Sequence, residues 1–421
     1  MKTLQAFRFA LDPSPRVERA LASHVGARRF AFNGGLALVK ARLDAHARGE
    51  AVAVPWTLPA LRREWNRAKE ALAPWWREHS KEAYASGLAG LADALRNWSA
   101  SRQGHRAGRR MGFPRFRKKG RGRESVGFTT GAIRVDDQSP VVLPRIGRVR
   151  THEPTMKLLA RLRAGTARIL RATVSREGGR WYVSFTCEVE REPGTPRRPE
   201  AVVGVDAGVR HLAVLSTGER VPNPRPLRKA LRKLARLNRK LARRQRGSRH
   251  WRATRRRLAR LHARVAHIRR DAMHQLTTRL ARTYGTVGVE QLRLAGLLRN
   301  RRLSRALADA ALAELRRQLA YKTAWYGSRL IEADPCYPSS KRCSGCGAVK
   351  DTLPLGERTF RCDACGLVLD RDANAGRNLA ALAAAVAGSG PETENARGRD
   401  ASPAVRRAIP EEAGSRRGAC P

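Results

Sequence analysis

The stretch from Lys341 to Ala380 reads KRCSGCGAVKDTLPLGERTFRCDACGLVLDRDANAGRNLA and contains two Cys-x-x-Cys pairs separated by 15 residues. Each pair can lie on a tight turn that presents two thiolates, and the chain between the pairs can bring them together in a tetrahedral site. Because four sulfur ligands leave no open coordination position, we expect one structural zinc ion. The predicted ligands are Cys343, Cys346, Cys362 and Cys365.

An acidic cluster, Asp370-Arg371-Asp372, follows the second pair and precedes a helical pattern, ANAGRNLAALAAAV. Two further carboxylates end apolar strand patterns: AVVGVD ends at Asp206, and TYGTVGVE ends at Glu290. Strands this hydrophobic belong in the centre of a covered sheet, where a carboxylate needs a cation to offset the cost of burial. Taken singly, Asp206 could form a turn and Asp372 could cap a helix.

Together, the three carboxylates have the composition of a two-metal phosphodiester site. Such a site holds two Mg²⁺ ions about 4 Å apart, one activating water and the other stabilising the leaving oxygen. Asp206, Glu290 and Asp372 are therefore the predicted catalytic residues and magnesium ligands. The chain also carries a formal net charge of +50. On so basic a chain, the three carboxylates favour a nuclease of the ribonuclease-H-like class, within a multidomain α+β fold.

The charge of the chain indicates its partner. The 421 residues carry a formal net charge of +50, and a charge of this size requires a polyanion such as nucleic acid or an anionic membrane. The longest apolar run, 379–387, is far shorter than the ~20 residues of a membrane-spanning helix. Arg8 and Asp12 interrupt the N-terminal apolar stretch before a signal-peptide core can form. We therefore expect a cytoplasmic, nucleoid-associated protein that binds nucleic acid and no membrane.

The segment 225–270 contains 20 lysine or arginine residues and no acidic residue in 46 positions. Its apolar residues form two stripes at helical spacing, on either side of Gly247-Ser248: Leu227, Leu231, Leu234 and Leu241, then Leu258, Leu261, Val265 and Ile268. This pattern predicts a helical hairpin with one packed face. A charge run is usually a solvated face, but no acidic neighbour offsets the repulsion here, which favours contact with phosphate. The predicted contacts are Arg255, Arg256 and Arg257.

A second basic segment, GHRAGRRMGFPRFRKKGRGR at 104–123, has no acidic residue and includes Phe113 and Phe116. It could be a solvated loop, but we favour a segment that grips phosphate while its aromatic side chains stack on bases. The predicted nucleic-acid contacts are Arg115, Arg117, Lys118 and Lys119.

Helical patterns occupy 16–98, and short strand patterns that predict a small barrel occupy 126–189. A linker, REPGTPRRPE, follows at 191–200. The helical part is interrupted at Gly49, Pro55, Pro59 and Pro74. Its tryptophans have a spacing more typical of core packing than of base stacking: Trp56, Trp65, Trp75, Trp76 and Trp98.

Four segments carry a family resemblance: VGVDAGVRHLAVLSTG, VGVEQL, LRRQLAYKTAWYGSRLIEADPCYPSSKRCSGCG and FRCDACGLVLDRDANAGRNLA. They resemble the TnpB proteins of bacterial and archaeal insertion sequences, relatives of the type V CRISPR effectors. The resemblance is most specific over 202–387 and weaker towards the N-terminus. The implied domains are a wedge β-barrel (1–12 and 108–196), a helical recognition lobe (13–107), a RuvC-like nuclease domain of the ribonuclease-H fold (197–340 and 367–388), a zinc ribbon (341–366) and a disordered tail (389–421).

The resemblance implies RNA-guided cleavage of double-stranded DNA beside a short transposon-adjacent motif. The guide RNA would come from the transposon end, and the protein would be a monomer bound to it. The family's acidic triad falls on Asp206, Glu290 and Asp372, and its zinc ligands on the four cysteines above. Asp372 is preferred over Asp370 because the family's third carboxylate directly precedes the ANAG-like helix start, and Gly376-Arg377 is a mild departure from the pattern.

Two other functions stay open at the level of sequence. One is a guide-dependent DNA-binding regulator that does not cut, which the intact triad disfavours. The other is a transposase proper, whose catalytic core can also be ribonuclease-H-like.

Overall fold

The computed structural model describes residues 1–129, 133–136, 140–292, 294–354 and 356–388, and the tail predicted at 389–421 lies outside them. The described chain forms two compact units that divide between Arg191 and Glu192. The division falls within the predicted linker, where residues 192–196 have no regular secondary structure. The predicted wedge and recognition lobe thus share one unit, here called the N-terminal unit, and the residues from Glu192 onward form the C-terminal unit.

The helices of the N-terminal unit follow the predicted breaks at Gly49, Pro55 and Pro74, whereas Pro59 is the second residue of a helix and does not interrupt it. The 33-residue helix α1 ends just before Gly49, whose φ of 87° is in the left-handed region that favours glycine. Thr57 caps the next helix by accepting the amide N–H of Ala60 at 3.4 Å. The described helices are α1 (Pro15–Ala47), α2 (Leu58–Leu72), a 3-10 helix (Pro74–Glu78), α3 (Lys81–Arg102) and α4 (Met156–Arg163), of which α4 was not predicted.

Seven antiparallel strands form the sheet of the N-terminal unit, in the order β2-β6-β7-β1-β5-β4-β3. Gly178-Gly179, with φ of 60° and 83°, makes the two-residue turn between β6 and β7. Cys187 is buried in β7, and closure of the sheet into a barrel stays a prediction. The strands are β1 (Lys2–Asp12), β2 (Glu124–Phe128), β3 (Arg134–Val135), β4 (Val141–Leu143), β5 (Gly147–Thr151), β6 (Ala167–Glu177) and β7 (Arg180–Glu190).

The tryptophans of the helical part divide into two groups. Trp65 and Trp76 pack against the core, and Trp98 contacts Phe113 edge-on at 5.0 Å, as the core interpretation predicts. Trp56 and Trp75 are exposed instead, by 39% and 46% of their side chains. For those two, helical spacing did not indicate burial.

The sheet of the C-terminal unit has five strands in the order β10-β9-β8-β11-β12. Strand β11 pairs in parallel with both β8 and β12, whereas β9 is antiparallel to β8 and β10. The central strand β8 and its two neighbours, β9 and β11, are apolar, as expected for a covered sheet. The strands are β8 (Arg198–Asp206), β9 (His211–Leu215), β10 (Arg220–Pro222), β11 (Tyr284–Glu290) and β12 (Arg329–Ala333).

The remaining elements surround this sheet or extend from it. The helices are α5 (Pro226–Ala242), α6 (Arg249–Thr283), α7 (Leu294–Leu297), α8 (Ser304–Ala310), α9 (Leu312–Tyr326) and α10 (Arg371–Gly388), and a small hairpin consists of β13 (Thr359–Arg361) and β14 (Val368–Asp370). Among the described residues, no helix combines the length and apolar composition that crossing a bilayer requires.

Helices α5 and α6 form the predicted basic hairpin. Its small apolar interior consists of Ala230, Leu234 and Val265, with Leu258 and Leu261 packed against them. Two details differ from the predicted stripes: Leu237 rather than Leu241 is buried on α5, and Ile268 is exposed on α6.

The base of the hairpin is anchored by an acidic residue outside it. The buried Asp309 of α8 accepts the amide N–H groups of Leu227 and Arg228 at 3.0 Å each, which caps α5. It also accepts a hydrogen bond from Arg269 of α6 at 3.0 Å. The sequence segment alone contained no carboxylate and did not predict this anchor.

Candidate active site and zinc site

Two of the predicted catalytic carboxylates lie at one edge of the C-terminal sheet. In the parallel pairing of β8 and β11, Val205 is opposite Val289, so Asp206 and Glu290 end neighbouring strands at the same level. Both side chains are partly exposed. The register therefore brings these residues together across a long separation in sequence.

The third carboxylate comes from α10, which packs on β8 and β11 and has Asp372 in its first turn. A Cβ on Gly204 of β8 would lie 1.9 Å from the carbonyl oxygen of Gly376. A Cβ on Gly288 of β11 would lie 2.6 Å from the carbonyl oxygen of Leu379. Only glycine permits this approach of helix to sheet, and the approach sets where α10 begins.

The electrostatics of Asp206 show that the carboxylates act on one another. Burial of its carboxyl group raises the pKa of Asp206 well above the ordinary value, and the charges of Glu290 and Asp372 raise it further. Arg371 opposes this effect. A site in which carboxylates repel one another binds a proton or a cation, and carboxylate oxygens are ligands that Mg²⁺ prefers. The donor set therefore fits magnesium.

Asp370 and Asp372 have different surroundings. The Asp370 carboxylate accepts the amide N–H groups of Asp372 and Ala373, at 3.0 and 3.1 Å, and so caps α10. It also pairs with Arg220 at 3.0 Å. The Asp372 carboxylate lies farther from its cationic neighbour, 3.7 Å from the Arg358 guanidinium. Asp370 is thus committed to the helix start, which supports the choice of Asp372 as the third site residue.

A residue that the sequence analysis missed contacts Glu290. The hydroxyl of Ser339, which is buried, donates a hydrogen bond to Glu290 Oε1. Ser339 lies between β12 and the first cysteine pair, in the segment SSKRC, where no spacing marks it as part of a site. Its contact depends on how the zinc-binding segment folds back on the sheet.

The predicted zinc ligands converge. All four Sγ atoms lie within 4.8 Å of one another, and this is the one cluster of possible ligands that already converges so closely in the described part of the chain. The amide N–H of Gly347 donates to Cys343 O, and that of Gly366 to Cys362 O, both at 3.0 Å. Both glycines have positive φ, 81° and 70°. The two cysteine pairs thus form matching turns, as expected for a zinc ribbon.

One of these thiols is already biased towards the thiolate. Burial raises the pKa of Cys343, but hydrogen bonds from the backbone of Cys346 and Gly345 outweigh burial, so that the pKa falls to about 6. For Cys365, a backbone hydrogen bond from Leu367 lowers the pKa, but hydrogen bonds with the other thiols outweigh it and raise the pKa to about 12. Zinc binds thiolates, so the donor set fits a four-sulfur zinc site through the convergence of its four sulfur atoms rather than through these two shifts.

Two buried asparagines join the zinc-binding turns to α10. Asn374 Nδ2 donates to Arg342 O at 2.7 Å, and its Oδ1 accepts the amide N–H of Ser344 at 2.9 Å. Asn378, one turn further along α10, donates to Ser339 O at 2.8 Å. The sequence signal for this junction is a pair of asparagines at i and i+4 in the first half of α10, and it formed no part of the prediction.

The predicted nucleic-acid contacts near the N-terminus are not equivalent. Arg115, Lys118 and Lys119 are exposed, whereas Arg117 is partly buried with its guanidinium 3.7 Å from the centre of the Phe32 ring. Burial lowers the pKa of Arg117. Asn33 fixes the backbone of Arg117 by accepting its N–H at 2.8 Å and donating to its carbonyl oxygen at 3.0 Å. The structure gives Arg117 a packing role.

On the basic hairpin, Arg255, Arg256 and Arg257 are all exposed, and only Arg257 lines the groove between α5 and α6. This groove, called here the hairpin groove, has a volume of about 590 Å³. Leu237 and Leu261 form its apolar floor. The other lining residues are cations: Lys233, Arg236, Lys240, Arg257, Arg260 and Arg264.

Comparison with known proteins identifies the family. The chain is 44% identical over 399 residues to the "Putative RNA-guided DNA endonuclease" of Mycobacterium tuberculosis, covering 90% of this chain and 86% of that protein. The family described as "Probable transposase", OrfB of IS605-type elements, matches residues 184–301. The chain belongs to the TnpB family. This confirms the resemblance carried by its motifs.

Two further sequence matches agree with membership of the TnpB family. InsQ of Escherichia coli, also named a putative RNA-guided DNA endonuclease, is 32% identical over 413 residues, which cover 94% of this chain and 96% of that protein. The "Cas12f1-like, TNB domain" family matches residues 313–379. A solved Cas12f1–sgRNA–target DNA complex aligns over 90% of this chain and 99% of its own, with 13% identity and a TM-score of 0.33.

A third family match can be compared directly with the structure. A family described as "Helix-turn-helix domain" matches residues 1–48. In this TnpB-family chain those residues form strand β1 and the single long helix α1. The matched region is therefore a strand followed by one helix.

The contact of α10 with the sheet yields a first prediction. Gly204→Ala should destabilise the chain by about 1–3 kcal/mol or more, because its Cβ meets backbone atoms of α10 that cannot move without displacing the helix. Chemical denaturation of the full chain measures the change. Gly388→Ala, at the end of the same helix and with open space at its Cβ, is the matched control and should cause no loss. Equal stability of the two variants would contradict the role given to Gly204.

The zinc site yields a second prediction. Protein purified without chelator should contain about one zinc ion per chain by metal analysis, and Cys362→Ser should lose it, because one of four thiolates is removed. Cys187→Ala, which removes a buried thiol from the N-terminal unit, should keep the zinc. A parent protein without zinc, or a Cys362→Ser variant that retains a full equivalent, would refute the assignment.

Proposed function

We propose that this chain is an RNA-guided DNA endonuclease of a transposable element, and that its C-terminal unit is a RuvC-like nuclease domain of the ribonuclease-H fold. The observation that carries the proposal is the placement of Asp206 and Glu290 at adjoining ends of parallel strands, with Asp372 at the start of the helix that packs on them. The names of the relatives in M. tuberculosis and E. coli support the same activity.

In the proposed reaction, Asp206, Glu290 and Asp372 hold two Mg²⁺ ions, which supply water activation and leaving-group stabilisation when bound. The remaining residues keep this ligand set in place. Asp370 fixes the first turn of α10, and Ser339 orients the Glu290 carboxylate by its hydrogen bond. Burial of the Asp206 carboxyl group, and then the charges of Glu290 and Asp372, raise its pKa, and a bound divalent cation would offset both effects.

The zinc ribbon has a positioning role in this proposal. Its turns bind Asn374 and Asn378, so zinc binding stabilises the same junction that places Asp372 and Ser339. The zinc ion is structural, because four thiolates leave no position for substrate.

The proposed partners are a guide RNA from the transposon end and target double-stranded DNA beside a short adjacent motif. In such complexes base pairing reads the sequence, while the protein binds the nucleic-acid backbone. The hairpin groove suits a backbone, since its cations surround an apolar floor and its lining contains no acidic residue. In the N-terminal unit, exposed Arg115, Lys118 and Lys119 are further proposed contacts. We also propose that this unit comprises the wedge and the recognition lobe, and that one chain binds one guide.

The triad yields the third prediction. Asp206→Ala in the purified guide complex should abolish DNA cleavage and retain guide-dependent DNA binding, because the metal ligands lie apart from the base-pairing contacts. Paired binding and cleavage assays measure both. Ca²⁺ in place of Mg²⁺ should likewise permit binding and support little cleavage, as its coordination geometry is looser.

A matched pair of variants separates the neighbouring aspartates. Asp372→Asn should abolish cleavage, whereas Asp370→Asn should retain it, because asparagine also caps helices. Full cleavage by Asp206→Ala would refute the triad, and loss of binding together with cleavage would assign Asp206 to the fold. Binding without cleavage by the parent protein would favour the regulator, and guide-independent joining of transposon ends would favour a transposase.

The hairpin groove yields the fourth prediction. Replacing Arg236, Arg260 and Arg264 with Gln should reduce the salt dependence of RNA binding, because log K declines by about 0.7 to 0.9 per phosphate neutralised for each tenfold rise in salt. Three lost contacts would flatten the slope by about 2. Binding titrations at several salt concentrations measure it.

The control carries the same charge change on the same two helices, outside the groove: Arg232, Arg252 and Arg256 to Gln, all exposed. It should leave most of the slope intact. Equal flattening by both triples would show that the whole hairpin face binds phosphate, as the sequence alone predicts. No flattening by either would mean that the hairpin is only a solvated face.

A further inference from the structure

The N-terminal unit contains a second cavity, called here the Trp75 pocket, that the proposed nuclease activity does not use. Its volume is about 590 Å³, within the usual range of small-ligand sites, and α1 forms one wall of it. The 3-10 helix provides another wall, and residues of the basic loop and of strands β2, β6 and β7 also line the pocket. Every lining residue belongs to the N-terminal unit.

One side of the Trp75 pocket is aromatic. Trp75 and Phe30 line it, with ring centres 5.8 Å apart at an angle of 66°. Trp75 leaves 46% of its side chain in contact with solvent. An exposed aromatic face of this kind can take part in stacking with planar groups.

The Trp75 pocket is also lined by basic side chains. Arg19, Arg29 and Lys119 line the same pocket, and Lys119 is one of the predicted nucleic-acid contacts. Two carboxylates, Glu78 and Glu124, also line it, so the cations are in excess but not alone. An aromatic surface next to an excess of cations suits a ligand that is planar at one end and anionic at the other.

The segment that carries Trp75 is held in place by polar contacts. His79 ends the 3-10 helix, and its Nε2 lies 2.7 Å from Ser23 Oγ on α1. Its Nδ1 lies 3.2 Å from the hydroxyl of Tyr84, which is fully buried in α3. The aromatic wall is therefore fixed before a ligand arrives, which lowers the entropic cost of binding.

The floor of the pocket includes a glycine with free space above it. A Cβ on Gly26 would meet only the tip of the Arg29 side chain, at 3.8 Å. Glycine in the interior of a helix costs about 0.5–1 kcal/mol relative to alanine, and nothing in the packing of α1 requires it at this position. Because Gly26 has no side chain, this part of the pocket has room for a ligand.

We propose that the Trp75 pocket binds one unpaired nucleotide of a nucleic-acid strand, with the base stacked on the exposed Trp75 beside Phe30 and the adjoining phosphate bound by Lys119 and Arg19. Unpaired bases stacked on aromatic side chains, with basic residues on the backbone, are the usual mode of single-strand recognition. The site is separate from the carboxylates of the C-terminal unit and does not depend on their activity.

The test uses photo-cross-linking, because it reports on this pocket even though other basic surfaces bind the same strand. The full chain is mixed with a single-stranded RNA that contains 5-iodouridine, irradiated and digested, and the cross-linked residues are mapped by mass spectrometry. A parallel arm uses the DNA strand of the same sequence with 5-iododeoxyuridine. The proposal expects cross-links at Trp75 or Phe30 in at least one arm, and the arm that gives them identifies the strand.

Two glycine variants on the same helix make the test specific. Gly26→Leu places a side chain in the pocket and should lower the Trp75 and Phe30 cross-links about tenfold, a loss within the range known for stacked bases. Gly34→Leu, where a Cβ also has open space but lies outside the pocket, should leave them unchanged. Both variants raise helix propensity, so a difference between them does not come from folding.

Substitutions of exposed side chains supply a second line of evidence. Lys119→Gln should lower the same cross-links several-fold without affecting the aromatic wall, and Trp75→Phe should retain cross-linking at the pocket through its remaining ring. Absence of cross-links at Trp75 and Phe30 in both arms would overturn the proposal. So would equal yields from Gly26→Leu and Gly34→Leu, which would show that the base does not enter the pocket.

Discussion

The close approach of α10 to the central strands is the constraint on which the C-terminal unit depends. Gly204 and Gly288 give the helix room to lie directly on β8 and β11, and their hypothetical Cβ atoms would fall 1.9 and 2.6 Å from its backbone. The start of a helix held this tightly cannot shift along the sheet. Because Asp372 lies in that first turn, its position relative to Asp206 and Glu290 follows from backbone contact rather than from side-chain flexibility.

The segment that carries the four cysteines reinforces the same constraint from the other side. Its first turn is hydrogen-bonded to Asn374, Asn378 donates to Arg342 O just before that turn, and Ser339 contacts Glu290. Metal binding and folding are one process in sites of this kind, so a zinc ion held there, as proposed, would also stabilise the junction with α10. The cysteine turns and the proposed catalytic carboxylates are thereby connected through contacts to α10 and to Glu290.

The net charge of +50 does not determine the fold. The basic residues lie on several surfaces, and each surface has its own local structure. On the hairpin, Asp309 caps α5 and pairs with Arg269, which holds two highly basic helices together at their base. The groove above this anchor is lined by cations over an apolar floor. In the N-terminal unit, Arg117 is used for packing against Phe32, while nearby Lys119 lines the Trp75 pocket.

The sequence by itself determined what depends on local spacing. The cysteine pairs, the apolar strands ending in Asp206 and Glu290, and the stripes of the basic hairpin all have periodicities that short-range physics fixes, and family membership follows from the same motifs. Only the tertiary structure decided what depends on contacts between distant segments. Parallel register placed Asp206 beside Glu290, and a helix cap separated Asp370 from Asp372. The same holds for Trp65 and Trp75, which share a helical pattern although one packs and the other is exposed, because burial depends on what lies opposite a side chain and no spacing encodes that.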